Sequence, residues 1–389
     1  MAARPRVVLV HLNSLELGGT QINAVDLAAA VVPHGYESHL IGPEPTGPGA
    51  NLLDVAAERG VRVTPYREPS TALAYSRVLR RTADEIGADL LHAYGTWGAA
   101  RAFYWGPSRF GRLPWVQTMY EMELHHSVHR HHPLIVGTEY LLEECEDRPG
   151  PTVLISPPVD MLRDRPRDAD APPNESVTIV IVSRLEEDMK SVPVEAAIGA
   201  VRRLADHDLV LEIVGTGAAE SRLRTLGEKA NADLGRPAVR FLGAMSDPRP
   251  AYARADIVLG MGGSAARGLA HGKPLVVQGE AGWSAVLEPE NAALLARSSY
   301  WSPEAVAEPD VLLAQNLLTL VDDEPRRRRL GEFSRTFAEQ RFGLTAMAEK
   351  LVGLYDTALT SYTARSWWSD LPVEARRVPD KLARVAGAR

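Results

Sequence analysis

The sequence predicts an α/β protein made of two Rossmann-like halves. Two features carry that expectation. Short apolar, β-branched runs alternate with helical patterns, and the alternation breaks at a segment rich in Asp, Arg and Pro before it restarts. Strands alternating with helices imply a mainly parallel sheet covered by helices on both faces. A length of 389 residues suits two domains better than one.

The first half opens on Arg6 to His11 (RVVLVH), a buried strand, then a helix over Thr20 to His34 with Ile22, Val25, Leu27 and Val31 among its apolar positions. Further strands are expected at Glu37 to Ile41, Val61 to Thr64, Leu90 to His92, Trp115 to Thr118, Leu134 to Val136 and Thr152 to Ile155. The break, Asp160 to Ser176, has Pro157, Pro158, Pro166, Pro172 and Pro173 in or beside it and reads as a linker. Val177 to Val182 restarts the pattern as a central parallel strand. Helix Val192 to Ala205, strand Leu209 to Val214, helix Ala219 to Leu226, and strands Val239 to Leu242, Ile257 to Leu259 and Leu275 to Val277 follow. Helical stretches Val311 to Val321, Glu324 to Phe342 and Leu344 to Thr360 come last, and the tail from Ser361, with Trp367 and Trp368, has no clear period. The expected division is residues 1–160, a linker 161–176, residues 177–343, and a stretch 344–389 packing back on the first domain. Two such halves make a clamshell whose cleft is the default ligand site.

Composition narrows the function classes. Hydrophobic residues make up 45% and charged ones 24%, the balance of a soluble globular chain. No apolar run approaches the roughly 20 residues of a membrane span, and Met1 to Val10 reads as a first strand with no cleavage site. Cys145 is the only cysteine, which excludes a disulfide within the chain and points to a reducing, cytoplasmic compartment. A net charge of -7 argues against a general nucleic-acid binder. The basic run Arg326 to Arg329, between Glu324 and Glu332, reads as a solvated helix face.

Three loops carry candidate chemistry. Ser183-Arg184-Leu185-Glu186-Glu187-Asp188-Met189-Lys190 lies directly after the first strand of the second half. Carboxyl ends of parallel strands are where doubly wound folds bind ligands. A guanidinium and an ammonium there suit a diphosphate leaving group, each charged hydrogen bond contributing about 1.5–3 kcal/mol. The alternative is an exposed loop in which they pair with Glu186, Glu187 and Asp188. Leu17-Gly18-Gly19-Thr20 follows the first strand; paired glycines allow close backbone approach and the helix start after them favours an anion, although Thr20 can equally be an N-cap. Gly260-Met261-Gly262-Gly263-Ser264 precedes a helix expected near Ala265, and its amides can hold sugar hydroxyls or phosphate oxygens or simply form a turn.

Taken in order, these segments resemble glycosyltransferase family 4, of GT-B fold, from the first strand to about Tyr362. The pieces are Gly18-Gly19, "DLLHAYG" at Asp89 to Gly95, "LISPPVD" at Leu154 to Asp160 and "VSRLEEDMK" at Val182 to Lys190. "LEIVGTGAAESRL" at Leu211 to Leu223, "VRFLGAM" at Val239 to Met245, "ARADIVLGMG" and "LAHGKPLVV" complete the set. The resemblance implies a retaining transfer from a nucleoside-diphosphate sugar to a small-molecule or saccharide acceptor, with no cofactor and no metal. It implies an acceptor-binding first domain and a nucleotide-sugar-binding second one. Arg184 and Lys190 are its implied catalytic residues, stabilising the departing diphosphate. Donor contacts fall to Gly18, Gly19, Gly215, Leu242, Gly243, Ala244, Gly262, Gly263 and Ser264, with Leu242 to Ala244 holding the base through backbone. Released phosphate would take the acceptor's proton, so His92 is a cleft residue or a satisfied structural histidine.

Two departures stand out. The family carries two glutamates before "AMAxGxP"; here the second is replaced by Arg267 and the first matches nothing acidic. Glu280, after the next strand, can take over the ribose, or Arg267 can add charge near the diphosphate. At "QTMYEMELHH" the family often has a histidine where this chain has Tyr120, followed by Glu121, Glu123, His125 and His126; Thr20, His92, Tyr120 and Glu121 form the expected acceptor or sugar side. The stretch His125, His126, His129, His131, His132 invites a metal site but reads better as a mobile acceptor-side loop. Trp97, Tyr104 and Trp105 suit a pocket for a small natural-product aglycone, or belong to the core. A nicotinamide dehydrogenase is disfavoured because Gly215-Thr216-Gly217 ends in Glu220 where a third glycine belongs. An exported solute-binding protein would need a signal segment. A nucleotide-sugar epimerase, or a degenerate GT-B nucleotide-binding protein, is the alternative. The expected partners are nucleotide sugar and acceptor, with no nucleic acid, no integral membrane segment, and room for a homodimer.

Overall fold

The computed structural model describes residues 4–376 apart from 46–51, 68, 70, 96, 97, 122, 127, 169, 188, 189 and 246. The chain divides into two compact units, residues 1–158 with 344–389, and residues 159–343.

The first unit starts β1 (Arg6–His11), α1 (Gly19–Ala30), β2 (Tyr36–Pro43), α2 (Leu52–Glu58), β3 (Arg62–Tyr66), α3 (Ala72–Ile86) and β4 (Leu90–Tyr94). It continues through α4 (Gly98–Trp105), β5 (Trp115–Met119), β6 (Leu134–Val136), α5 (Glu139–Glu144) and β7 (Thr152–Leu154). All seven strands pair in parallel in the order β3-β2-β1-β4-β5-β6-β7. Side chains of β1 alternate between two cores because successive residues on a strand point to opposite faces. Val8 and Val10 join one core, Leu9 the other. Burial on both faces is why β1 reads as an unbroken apolar run and not as an alternation.

The second unit holds β8 (Val177–Val182), α6 (Ser191–Arg203), β9 (Leu209–Val214), α7 (Glu220–Leu234), β10 (Val239–Gly243), α8 (Arg249–Arg254), β11 (Ile257–Gly260) and α9 (Gly262–Ala270). It ends with β12 (Leu275–Gln278), β13 (Ser284–Val286), α10 (Ala292–Arg297), α11 (Pro309–Val321) and α12 (Glu324–Phe342). Its sheet runs β10-β9-β8-β11-β12-β13, parallel except for β13. Ile179 and Ile181 pack toward α6, α7 and α11; Val180 packs toward α8, α9 and α12. Residues 161–176, read from sequence as a linker, lie on this unit. Arg335 fastens them, donating to the carbonyls of Met161 (2.9 Å), Asp164 (2.7 Å) and Ala270 (2.6 Å). In the basic run, Arg326 meets Glu288 at 2.5 Å and Arg327 donates to Leu320 O and Val321 O at the end of α11, while Arg328 and Arg329 are exposed.

The chain then returns to the first unit through α13 (Leu344–Ser361) and α14 (Ala364–Ser369), with residues 371–376 also helical. Met347, Leu351, Leu354 and Tyr355 of α13 complete the Val8 core. The tail without visible period is anchored by single deep contacts instead of a stripe. Trp367 is 2% exposed and stacks on Tyr104 at 4.8 Å. Its indole donates to Tyr104 O at 2.8 Å, and the Tyr104 hydroxyl donates to Trp367 O at 2.9 Å. Buried Glu374 accepts from Arg101 (2.9 Å) and Trp105 (2.7 Å) and meets His129 Nε2 at 3.0 Å.

These contacts decide between two readings and correct a third. Tyr104 and Trp105 belong to the core and hold the tail, the second of the two readings the sequence left open; Trp97 lies outside the described residues. The later part of the histidine stretch is not a mobile loop: His129 and His132 are fully buried, and His132 stacks on Trp115 at 3.9 Å, while His126 is exposed. Buried Asp370 accepts from the amides of Arg130 (2.7 Å) and His131 (3.1 Å). His129 to His131 are the seat of the C-terminal helix. Among the described residues no helix is long and apolar enough to cross a membrane.

Candidate active site

In the second unit, β8 is central, with β9 on one side and β11 on the other. The strand order reverses there, so the loops leaving β8 and β11 diverge and open a crevice at their carboxyl ends. The loop after β8 is held by its neighbour after β9. Ser183 N donates to Val214 O (3.0 Å), Leu185 N to Thr216 O (2.9 Å) and Ala219 N to Leu185 O (2.8 Å). Gly215 has φ 137°, and a Cβ on it would stand 1.8 Å from Ser183 O; one on Gly217 would stand 2.4 Å from Leu185 O. Both glycines are therefore demanded by two backbones in contact. Gly215 N also donates to Gly243 O at 2.8 Å. The Gly215 amide is thus engaged within the fold, and the close approach of its Cα to Ser183 O locks Arg184's loop.

Arg184 is exposed on that loop, and Lys190 is the N-cap residue of α6. Neither has an ion-pair partner among the described residues. Glu187 does not pair with them, because Arg222 takes it at 2.7 Å together with Glu195 at 2.6 Å; Asp188 lies outside the described residues. Burial pushes the Lys190 ammonium below its usual value, the Arg184 guanidinium adds to that shift, and Glu280 opposes it. Arg184, Lys190 and Glu280 are therefore brought within electrostatic reach of one another. Two cations near each other, with Glu280 in reach of Lys190 but no ion pair formed among the described residues, make a place where an anion gains from both.

Glu280 sits in the tight turn from β12 to β13. Gly279 N donates to Trp283 O at 2.7 Å, and the Trp301 indole donates to Glu280 Oε2 at 3.3 Å. Trp301 carries no motif and was missed from sequence. It follows Ser299 and Tyr300, two consecutive non-glycine residues at φ 54° and 57°. Ser299 O in turn accepts from Gly262 N at 3.0 Å. Helix α9 thus starts at Gly262, three residues before its expected start, and Gly262's amide is used. Ser264's hydroxyl is also committed, donating to Met261 O at 2.9 Å. Gly263 keeps open space, with nothing within 4 Å of a Cβ. Leu242 packs into the core, and Gly243, at φ 73°, also has open space; Ala244 beyond it is exposed. Arg267 approaches buried Asp164 at 4.0 Å, and Asp164 also meets His271 at 3.4 Å.

In the first unit, Gly18 is the N-cap of α1 and no side chain caps it. Thr20 is therefore inside the first turn and not the N-cap. Gly19 has nothing within 4 Å of a Cβ. His92 is 1% exposed, with Nδ1 at 2.7 Å from the Tyr355 hydroxyl and Nε2 at 2.7 Å from Thr118 Oγ1. Burial pushes its pKa down to about 3. Both ring nitrogens are engaged, which makes it the satisfied structural histidine. Burial also pushes the Tyr120 phenol up, and that hydroxyl is buried; Glu121 is exposed.

Two family models match the chain: the glycosyl transferase 4-like domain over residues 18–144 and glycosyl transferases group 1 over residues 176–316. The chain is a glycosyltransferase. No curated protein matches the sequence significantly. Among solved structures, the glycosyltransferase is similar to one from Rickettsia africae, with a TM-score of 0.70 and 13% identity over 92% of this chain and 100% of the other. It is similar to Anabaena HepE in complex with UDP-glucose, TM-score 0.66 and 17% identity over 90% and 99%. A third is the pneumococcal O-GlcNAc transferase GtfA in complex with UDP and GlcNAc, TM-score 0.62 and 12% identity over 92% and 100%. At these identities the likeness shows the fold, which is GT-B with two Rossmann-like domains.

Proposed function

We propose that the glycosyltransferase moves a sugar from a nucleoside diphosphate, bound by its second unit, to a small-molecule or saccharide acceptor bound by its first. The observation that carries this is the pair Arg184 and Lys190 at the β8 switch point, in electrostatic reach of each other and with no ion-pair partner among the described residues. A diphosphate neutralises both cations, and their attraction grows as negative charge develops on the leaving group. Solved relatives of the same fold hold UDP or UDP-glucose, which supports this donor class. Glu280 is the proposed ribose acceptor of hydrogen bonds in place of the glutamate replaced by Arg267. The two cations supply the positive charge a metal ion would, so turnover is proposed to survive chelation. Transfer is proposed to retain configuration, to be read from the product's anomeric signal. The free, buried Cys145 suits a reducing cytoplasm.

Thermal-shift titration with UDP, GDP, dTDP and ADP tests the reading, since a ligand of the folded state raises its stability by mass action. At least one should raise the midpoint, and Arg184→Ala should abolish that rise and lower turnover on the order of 10²-fold or more. Unchanged kinetics in Arg184→Ala would remove the assignment.

A further inference from the structure

The loop after α4 and helix α14 form an exposed end of the first unit that the transfer reaction leaves unused. Phe110 is 47% exposed and Trp368 54%, with their rings 5.8 Å apart. Phe110 holds φ 58°, an outlier for a bulky residue. The strain is kept although the ring stays half in solvent. Gly111 follows at φ 73°, and a Cβ on it would stand 2.3–2.6 Å from the backbone of Thr363 and Ala364. Loop and helix are thus locked together, and Trp367 supports Phe110 from below at 4.8 Å. The two rings are presented on a rigid base.

The charge around them runs against the sign of the chain. Arg109 lies over the Phe110 ring at 4.7 Å, and Arg112 and Arg365 are exposed on the same two segments. The facing acid is Asp84 of α3, which meets Arg112 at 3.4 Å and Arg80 at 3.8 Å. The net charge of the whole chain is -7. A partner for this end must be anionic and must accept aromatic rings at shallow depth. The headgroup layer of an anionic bilayer does both: aromatic rings settle at the interface, and arginines gain from its negative surface potential. A second copy of the chain would bring like charges together.

We propose that the first unit docks on an anionic membrane surface through Phe110, Trp368 and the arginines beside them. The test is co-sedimentation of the full chain with phosphatidylcholine vesicles, with and without phosphatidylglycerol. Binding is expected only with phosphatidylglycerol, weakening as salt is added. Phe110→Ala and Trp368→Ala should each lower partitioning on the order of tenfold, and Arg365→Glu about fivefold or more, each with an unchanged circular dichroism spectrum. Absence of binding to either vesicle would overturn the proposal. So would equal binding to neutral vesicles, or self-association that Phe110→Ala and Trp368→Ala abolish while vesicles stay unbound.

Discussion

Replacing Gly215 by Ala tests how Arg184 is held. The added Cβ would lie 1.8 Å from the Ser183 carbonyl oxygen, so that oxygen must retreat by about 1.6 Å or more before ordinary contact is restored. The oxygen belongs to the peptide that supplies the Arg184 amide, and that peptide is flanked by the bonds Ser183 N to Val214 O and Leu185 N to Thr216 O. Left-handed strain costs about 1–3 kcal/mol. Weakening two backbone bonds costs about 0.5–1.5 kcal/mol each. The expected loss is about 2–6 kcal/mol, a large part of the roughly 5–15 kcal/mol that holds a domain folded. With a urea slope of about 2 kcal/mol/M, the unfolding midpoint of the second unit should fall by about 1–3 M. Gly243→Ala is the control, since it has φ 73° but open space around the Cβ and should lose only about 1 kcal/mol. Equal midpoint shifts in the two variants would refute the lock between the loops.

Lys190→Met separates stability from binding. Lys190's folded pKa is lowered, so between the folded and unfolded values the unfolded chain binds the extra proton and stability rises with pH. Removing the charge should therefore raise the melting temperature at pH 7, while nucleoside-diphosphate binding is lost; a lower melting temperature would contradict this. His11 and His92 are both pushed down to about 3 by burial. Their stability is present above the unfolded value near 6.5 and drains as pH falls toward 3, on the order of 2 kcal/mol each by pH 5. Urea midpoints of the first unit that stay flat from pH 7 to 5 would refute that. Trp367→Ala should cost about 3–5 kcal/mol in the first unit, measured by urea unfolding, and a loss below about 1 kcal/mol would show that the tail is not seated as described.

The strands were legible because both faces of each sheet are covered, which makes β1 and β8 near-continuous apolar runs. The position of the Ser183 to Lys190 loop at the carboxyl end of β8 was legible because the loop follows such a strand directly. What stayed hidden depends on contacts between distant residues. The C-terminal helix is stapled by Trp367, Asp370 and Glu374 at single points, which leave no period to read. Nothing in the sequence shows that Gly215 and Gly217 are also packing positions; that depends on the approach of Ser183 and Leu185. The early start of α9 hinges on the Ser299 carbonyl, and Trp301 reaches Glu280 from a loop with no motif. The start of α1 behaved similarly: Thr20 has N-cap chemistry, yet the helix starts at Gly19 and Gly18 takes the N-cap place.

A structure of the chain with bound UDP bears most directly on the central claim. The account expects the two phosphates within hydrogen-bond reach of the Arg184 guanidinium and the Lys190 ammonium, at the carboxyl end of β8. Phosphates bound elsewhere, with both side chains turned to solvent, would contradict it.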